Sequence, residues 1–494
     1  MSNTARKTAA ALLATGLFAF SSAAMATNGY FTHGVGTDSK AMAGSGVGSP
    51  ENLGGIAAAT NPALAVFADE KWQVGLAIFS PMRSYTASDS LAQGQGGAFT
   101  LSAGEYDSDN EAFPIPFVAK NWILGNGDSL SFVFYGRGGM NTEWSGGQTF
   151  LFESPAIDPN TGDLFRDPVT GDALQFGVEA DGLFGGGLFD PGLAKAGVDL
   201  MQAFLSVNYA GKIGDNFTWG IGPVFAVQMF EATGLPLFGR FTETAAANFP
   251  GYFGACLQGG GAQDTCEFIA GGQVLGDVTS LTNNSQDLST GFGVAAGFWG
   301  GSEKFSYGLA YQSKMSMSEF DDYSDLFAEA GGFDIPSTLK AGISFMAGES
   351  TRINLDIEHI SYSDADSVHN SISNLITGCY MVGFVPPPES SGCLGGPNGA
   401  GFGWQDVTVY KAGFAWNADD NNTWRFGFSY GEQPIPSSEV LFNILAPGVM
   451  ETHLTAGWTS QRQNGNVMSW SVMYAPSKEI KGTSTFDPTQ SVTL

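Results

Sequence analysis

The stretch Phe217-Thr-Trp-Gly-Ile-Gly-Pro-Val-Phe-Ala-Val-Gln-Met229 alternates with a period of two. Phe217, Trp219, Ile221, Phe225, Val227 and Met229 are large and apolar. Between them stand Thr218, Gly220, Gly222, Ala226 and Gln228, small or polar, with Val224 as the exception. In a strand, successive side chains face opposite sides, so this segment has one greasy face and one wettable face. Working outward, the same habit recurs at 72–80, 112–121, 129–140, 202–211, 289–299, 304–315, 337–347, 351–361, 406–416, 422–431, 451–461 and 466–474, thirteen strands with 216–229. Short connections at 121–128, 211–215, 300–303, 348–350, 417–421 and 462–465 alternate with long ones at 81–111, 141–201, 230–288, 316–336, 362–405, 432–450 and 475–489. A soluble sandwich also alternates, but its apolar face points inward and its loops do not sort by length. Strands near ten residues with aromatics at their ends and loops that alternate strictly predict an all-β, transmembrane antiparallel β-barrel over residues 72–494.

Such barrels keep short turns in the periplasm and long loops outside, which puts Trp72 at the periplasmic end. Thirteen strands leave the final loop outside and the sheet unclosed, and an open edge in lipid costs several kcal/mol per unpaired backbone group. Gln490-Ser-Val-Thr-Leu494 is therefore expected to begin a fourteenth, returning strand, with roughly a dozen further residues needed to finish it.

Residues 1–26 read as a secretory signal: Arg6 and Lys7, an apolar run from Ala9 to Phe20, then Ala24-Met25-Ala26 as the cleavage site. Its removal takes the formal charge from −28 to −30, since two cations and no acids lie in it. A chain so acidic repels nucleic acid, whose affinity comes from cationic contacts to phosphate. Only 14% of residues are charged, which excludes a disordered acidic polymer. The 69 glycines and 39 phenylalanines suit a barrel with small residues inward and aromatics toward lipid. The cysteines form two local pairs in outer loops, Cys256 with Cys266 and Cys379 with Cys393. Export through an oxidising compartment makes disulfides the expectation, each contributing about 3 kcal/mol in the chain-entropy model.

Residues 27–71 are glycine-rich and lack strand alternation. Their low charge and Ile56-Ala-Ala-Ala59 favour an N-terminal plug folded into the lumen. Thr27-Asn-Gly-Tyr-Phe31, the run Gly34 to Ser49 and Ala59-Thr-Asn-Pro-Ala63 resemble the plug of long-chain fatty acid and hydrocarbon transporters of the FadL/TodX type. Further along, Pro336-Ser-Thr-Leu-Lys-Ala-Gly342, Leu355-Asp-Ile357 with Tyr362, Gly403-Trp-Gln-Asp406, Trp424-Arg-Phe-Gly-Phe-Ser-Tyr430, Pro434-Ile-Pro436, and Leu445-Ala-Pro447 followed by His453 are similar to that family's ordered landmarks. The resemblance implies a monomeric fourteen-stranded barrel in the Gram-negative outer membrane, stoppered by a hatch. It implies passive diffusion of long-chain fatty acids or related hydrophobic compounds and lateral release into lipid. It also implies that Asn61, Pro62 and Ala63 form the gate beside a kinked wall strand.

A path for greasy molecules needs a landing site, a lumen and a gate. Leu183, Phe184, Leu188 and Phe189 in the second long loop are landing candidates, with Leu235, Leu237, Phe238, Phe249, Tyr252 and Phe253 in the third as their counterparts. Apolar residues in exposed loops need packing or a ligand, and a groove between two loops supplies both. Strand alternation turns Lys340 and Arg425 into the lumen, where they could hold a carboxylate or pair with Asp356 and Glu358; Arg137 is a further candidate on a poorly alternating strand. Asp158-Pro-Asn-Thr-Gly-Asp163 and Asp167-Pro-Val-Thr-Gly-Asp172 could share calcium, but Asp-Pro and Gly are ordinary turn formers. His33, His359, His369 and His453 are scattered, so neither an enzyme, a cofactor nor a metal centre is expected. The rival reading is a surface adhesion or structural barrel, which would not need a hatch.

Overall fold

The computed structural model describes residues 27–51, 54–92, 99–155, 175–186, 194–379 and 390–494. The signal at 1–26, Phe189 and the two acidic turns lie outside these.

The wall is a consecutive antiparallel meander of thirteen strands. They are β1 Trp72–Phe79, β2 Phe113–Ile123, β3 Ser129–Trp144, β4 Ala196–Ile213, β5 Phe217–Thr233, β6 Asp287–Gly301, β7 Phe305–Gln312, β8 Thr338–Met346, β9 Thr351–Ile360, β10 Val407–Asp419, β11 Asn422–Gly431, β12 Thr452–Gln461 and β13 Val467–Tyr474. Along β5, exposure alternates without a break from Phe217 to Gln228, and the exposed positions are the apolar ones apart from Pro223. A soluble core is thus turned inside out, as lipid on the outer face requires. No described helix is long and apolar enough to cross a membrane.

Small inner residues let a second layer approach. Thr27–Ala68 packs against the inward faces of the wall, with a short helix at Thr37–Ala41 and 3₁₀ turns at Gly55–Ala59 and Pro62–Phe67. A Cβ at Gly297 would stand 1.9 Å from Asn61 Oδ1, so this wall position admits only glycine. The backbone of the inner segment finds its partners in the wall. Asp356 Oδ2 accepts from Gly46 N at 2.6 Å and Val47 N at 2.9 Å. Gly48 O accepts from Trp299 Nε1 at 3.0 Å and Ser306 Oγ at 2.7 Å. Ion pairs join Glu51 to Arg352 at 2.6 Å and Asp38 to Arg425 at 3.4 Å.

The long connections gather into a cap at the end of the wall opposite the short turns. In the third, α1 Glu243–Gln258 and α2 Gln263–Gln273 form a hairpin; the Thr242 hydroxyl caps α1 by accepting from Ala245 N. Cys256 and Cys266 are bonded across it, with Cα atoms 5.4 Å apart. Cys379 and Cys393 are bonded in the fifth, with Cα atoms 4.5 Å apart.

Among the described residues, β1 pairs only with β2 and β13 only with β12. Ser491–Thr493 does not enter the wall as expected. It pairs with Lys481–Thr483 on one side and with Thr86 and Ala87 on the other, in a small sheet among the loops. The Gln490 amide fixes it there, accepting from Leu101 N at 2.9 Å and donating to Leu101 O and Ser88 O.

Candidate functional site

Pro114 and Pro116 in β2 set the site. The β1 ladder runs past both prolines without a gap, from Trp72↔Lys120 to Phe79↔Phe113. The β3 ladder stops at Phe117↔Tyr135. In an antiparallel sheet alternate residues donate to opposite neighbours, so two prolines of the same parity remove two donors from one edge. That edge faces β3, and beyond Phe117 the two strands part. On the far side of the split β3 itself bulges, because Gln202↔Gly138 is followed by Ala203↔Gly136 and Arg137 is the extra residue. Gly136, Gly138 and Gly139 keep this part of the wall thin.

A cavity of about 380 Å³ occupies the opening. Its lipid side is lined by Pro114, Pro116, Met201 and Met229, and its inner side by Tyr30, Gln202 and Trp404. It therefore passes through the wall. Tyr30 is held from within by an aromatic lattice, its ring 5.4 Å from Tyr362 and 5.7 Å from Trp404. Tyr362 donates to Asn28 O at 2.5 Å, and a Cβ on Gly29 would stand 2.3 Å from that hydroxyl. The neighbouring Phe31 pairs with Gly138 of the bulge.

Arg137 faces inward, in step with Ser131, Val133 and Tyr135 before it. Its guanidinium lies 4.4 Å from the Phe31 ring, donates to Thr32 O at 3.0 Å and meets Glu358 Oε1 at 3.2 Å. Lys340 faces the lumen as alternation predicts, 3.4 Å from the same Glu358 oxygen. Lys411 binds the other oxygen and donates to His33 O at 2.8 Å. Arg425 also faces inward, against Asp38 and Thr459. Each of the three cations singled out in the sequence thus has a carboxylate partner. Glu358 sits on the strand paired with that of Lys340, but Asp38, the partner of Arg425, comes from the inner segment, and no local pattern announces it.

Asn61, Pro62 and Ala63 stand elsewhere. Asn61 is fully buried, donates to Val47 O at 2.8 Å and Phe298 O at 3.1 Å, and caps the following turn by accepting from Ala63 N. Thr218 donates to Ala63 O at 2.9 Å. The β5–β6 ladder beside these residues runs from Phe217↔Gly300 to Phe230↔Asp287 with no register shift. The wall is intact there, and the opening lies at β2–β3, where the resemblance alone gave no residue.

The loop aromatics divide into two groups. Phe184 packs on Phe238 at 5.2 Å, and Leu183 and Leu237 are buried with them. Phe253 instead stacks on Phe249 within the helical hairpin, 5.7 Å away, a separate small core. The second and third loops therefore meet through Leu183, Phe184, Leu237 and Phe238, without Phe253. A second, apolar cavity of about 40 Å³ lies beneath them, lined among others by Phe230, Leu235, Phe238, Phe327 and Phe402.

A plugged, transmembrane antiparallel β-barrel with an opening in its side wall is the class of protein these features define. No family model and no curated protein matches the chain by sequence. By structure it is similar to the Pseudomonas putida toluene transporter TodX, with a TM-score of 0.50 at 13% identity over 93% of this chain and 95% of that one. It is also similar to the TodX monoaromatic hydrocarbon channel deltaS2 mutant, with a TM-score of 0.53 at 15% identity over 93% and 96%. The chain has the FadL/TodX-type fold.

Proposed function

We propose that the protein carries long-chain fatty acids or related hydrophobic molecules across the Gram-negative outer membrane by passive diffusion. The observation that supports this reading is the cavity of about 380 Å³, mostly apolar in its lining and placed in the β2–β3 split. Substrate descends from the apolar loop residues Leu183, Phe184, Leu237 and Phe238 and reaches Tyr30. It leaves sideways between Ile115 and Gly139, into lipid instead of water. An apolar solute gains by such a route, since it never gives up its hydrophobic surroundings. The inner segment then acts as a hatch whose residues near Tyr30 must shift, while Asn61, Pro62 and Ala63 hold the remainder to the wall. Substrate drives that shift only if it favours the displaced position of Tyr30.

The split supplies its own test. A Cβ at Gly136 would lie 3.8 Å from the Ile115 Cβ, the usual spacing across a disulfide. Cells carrying Ile115→Cys with Gly136→Cys should take up labelled oleate or hexadecane only after reduction, with the reduced parent protein as control. Undiminished uptake by the oxidised double variant would remove the lateral route. Absence of uptake by the assembled parent would remove the transport reading itself.

A further inference from the structure

The cavity in the β2–β3 split carries one polar feature that passage of a plain hydrocarbon does not use. Gln202 projects inward from β4 and is 3% exposed. Its Nε2 donates to Gln228 Oε1 at 2.6 Å, and Gln228 Nε2 donates to Phe333 O at 2.8 Å. A backbone carbonyl can only accept, so it dictates the orientation of Gln228, and Gln228 in turn dictates that of Gln202. The relay leaves Gln202 Oε1 as an oriented acceptor without a hydrogen bond among the described residues; the residue lines the cavity, the oxygen itself is closed off behind that lining, and the shift of Tyr30 that the route requires would uncover it. The buried Tyr30 hydroxyl has none either, and the two residues approach each other at Gly138, where a Cβ would stand 2.5 Å from Gln202 Oε1 and 3.0 Å from the Tyr30 ring. Buried polar atoms in this state cost stability until something answers them.

We propose that this cavity takes an uncharged hydrophobic molecule bearing a hydroxyl, an alcohol or a phenol, whose O–H donates to Gln202 Oε1. The same oxygen accepts from Tyr30. A hydroxyl is a donor and an acceptor at once, so it answers both groups. A plain hydrocarbon leaves both unpaired. A carboxylate sets lone pairs against the Gln202 oxygen, and the nearby cations are already held by Glu358. The inference rests on the cavity being the substrate's path.

The test compares 1-dodecanol, tridecane and dodecanoate, labelled and at equal low concentration, in cells expressing the full chain. Parent protein, Tyr30→Phe and Gln202→Met are followed in parallel, with assembly checked by heat-modifiable gel migration. The expected result is a preference for dodecanol over tridecane about tenfold greater in the parent than in either variant, the worth of one hydrogen bond to an otherwise unpaired buried group. If Gln202→Met does not assemble, Tyr30→Phe alone decides. Equal ratios in parent and variants overturn the proposal and mean that Tyr30 and Gln202 simply satisfy each other; transport then still stands. Dodecanoate entering faster than dodecanol also overturns it. Failure of all three solutes to enter through assembled parent protein refutes the transport reading instead.

Discussion

Glu358 is the only carboxylate within reach of Arg137, Lys340 and Lys411 among the described ion pairs. Removing one member of a buried charge group leaves the others uncompensated, at a cost of about 3–5 kcal/mol. Glu358→Gln should therefore lower the urea concentration at which the folded gel mobility is lost, and Glu358→Asp should recover part of it. The inward direction of Lys340 and Arg425 was legible in the sequence because a period of two leaves a side chain only two directions. Arg137 was less so, since Val133 and Tyr135 on its own face are as apolar as Phe132 and Phe134 on the other, and the strand alternates poorly. Gln202 was passed over for a different reason. A lone glutamine facing a lumen looks like any wettable position until its relay to Gln228 and Phe333 is known.

Among the elements, the thirteen wall strands were legible to within a few residues, because each one repeats the same lipid-facing pattern. The largest departures are in β3, β4 and β5, which reach Trp144, begin at Ala196 and end at Thr233. Their ladders continue into the long connections, as Ala196↔Trp144 and Gly197↔Thr233 show, where the lipid-facing pattern of the sequence no longer marks a strand. Ser491–Thr493 failed in the opposite direction, since three alternating residues fit a wall strand and a loop sheet equally well. The β2–β3 split was written in Pro114 and Pro116, residues confined in sheets to edges and bulges. Restoring both donors with Pro114→Val and Pro116→Val should let the ladder extend beyond Phe117↔Tyr135. The expected outcome is a barrel that resists urea better yet conducts substrate several-fold more slowly. Faster or unchanged uptake would separate the split from the route.

At the scale of the whole molecule, the inner segment is fastened almost all the way round, from Gln73 in β1, which accepts from Ile56 N, to Thr459 in β12, which donates to Asp38. Most of the contacts that fasten it join residues hundreds of positions apart, so the sequence showed that a plug was present but not what holds it. Asn61→Ala would strip Val47 O and Phe298 O of their donor while leaving every wall ladder intact. In planar bilayers that variant should pass brief ionic currents that the parent does not, with unchanged gel migration. A parent as leaky as the variant would deny Asn61 its anchoring role. On the proposed lateral route this fastening has a meaning for the cell. A molecule that departs through the wall does not ask the stopper to leave, so water-soluble compounds find no continuous aqueous path during its passage. If uptake follows that route, a bacterium could make the protein abundantly while feeding on scarce oily compounds and remain closed to bulky hydrophilic antibiotics, a combination that an unplugged pore of the same width would deny it.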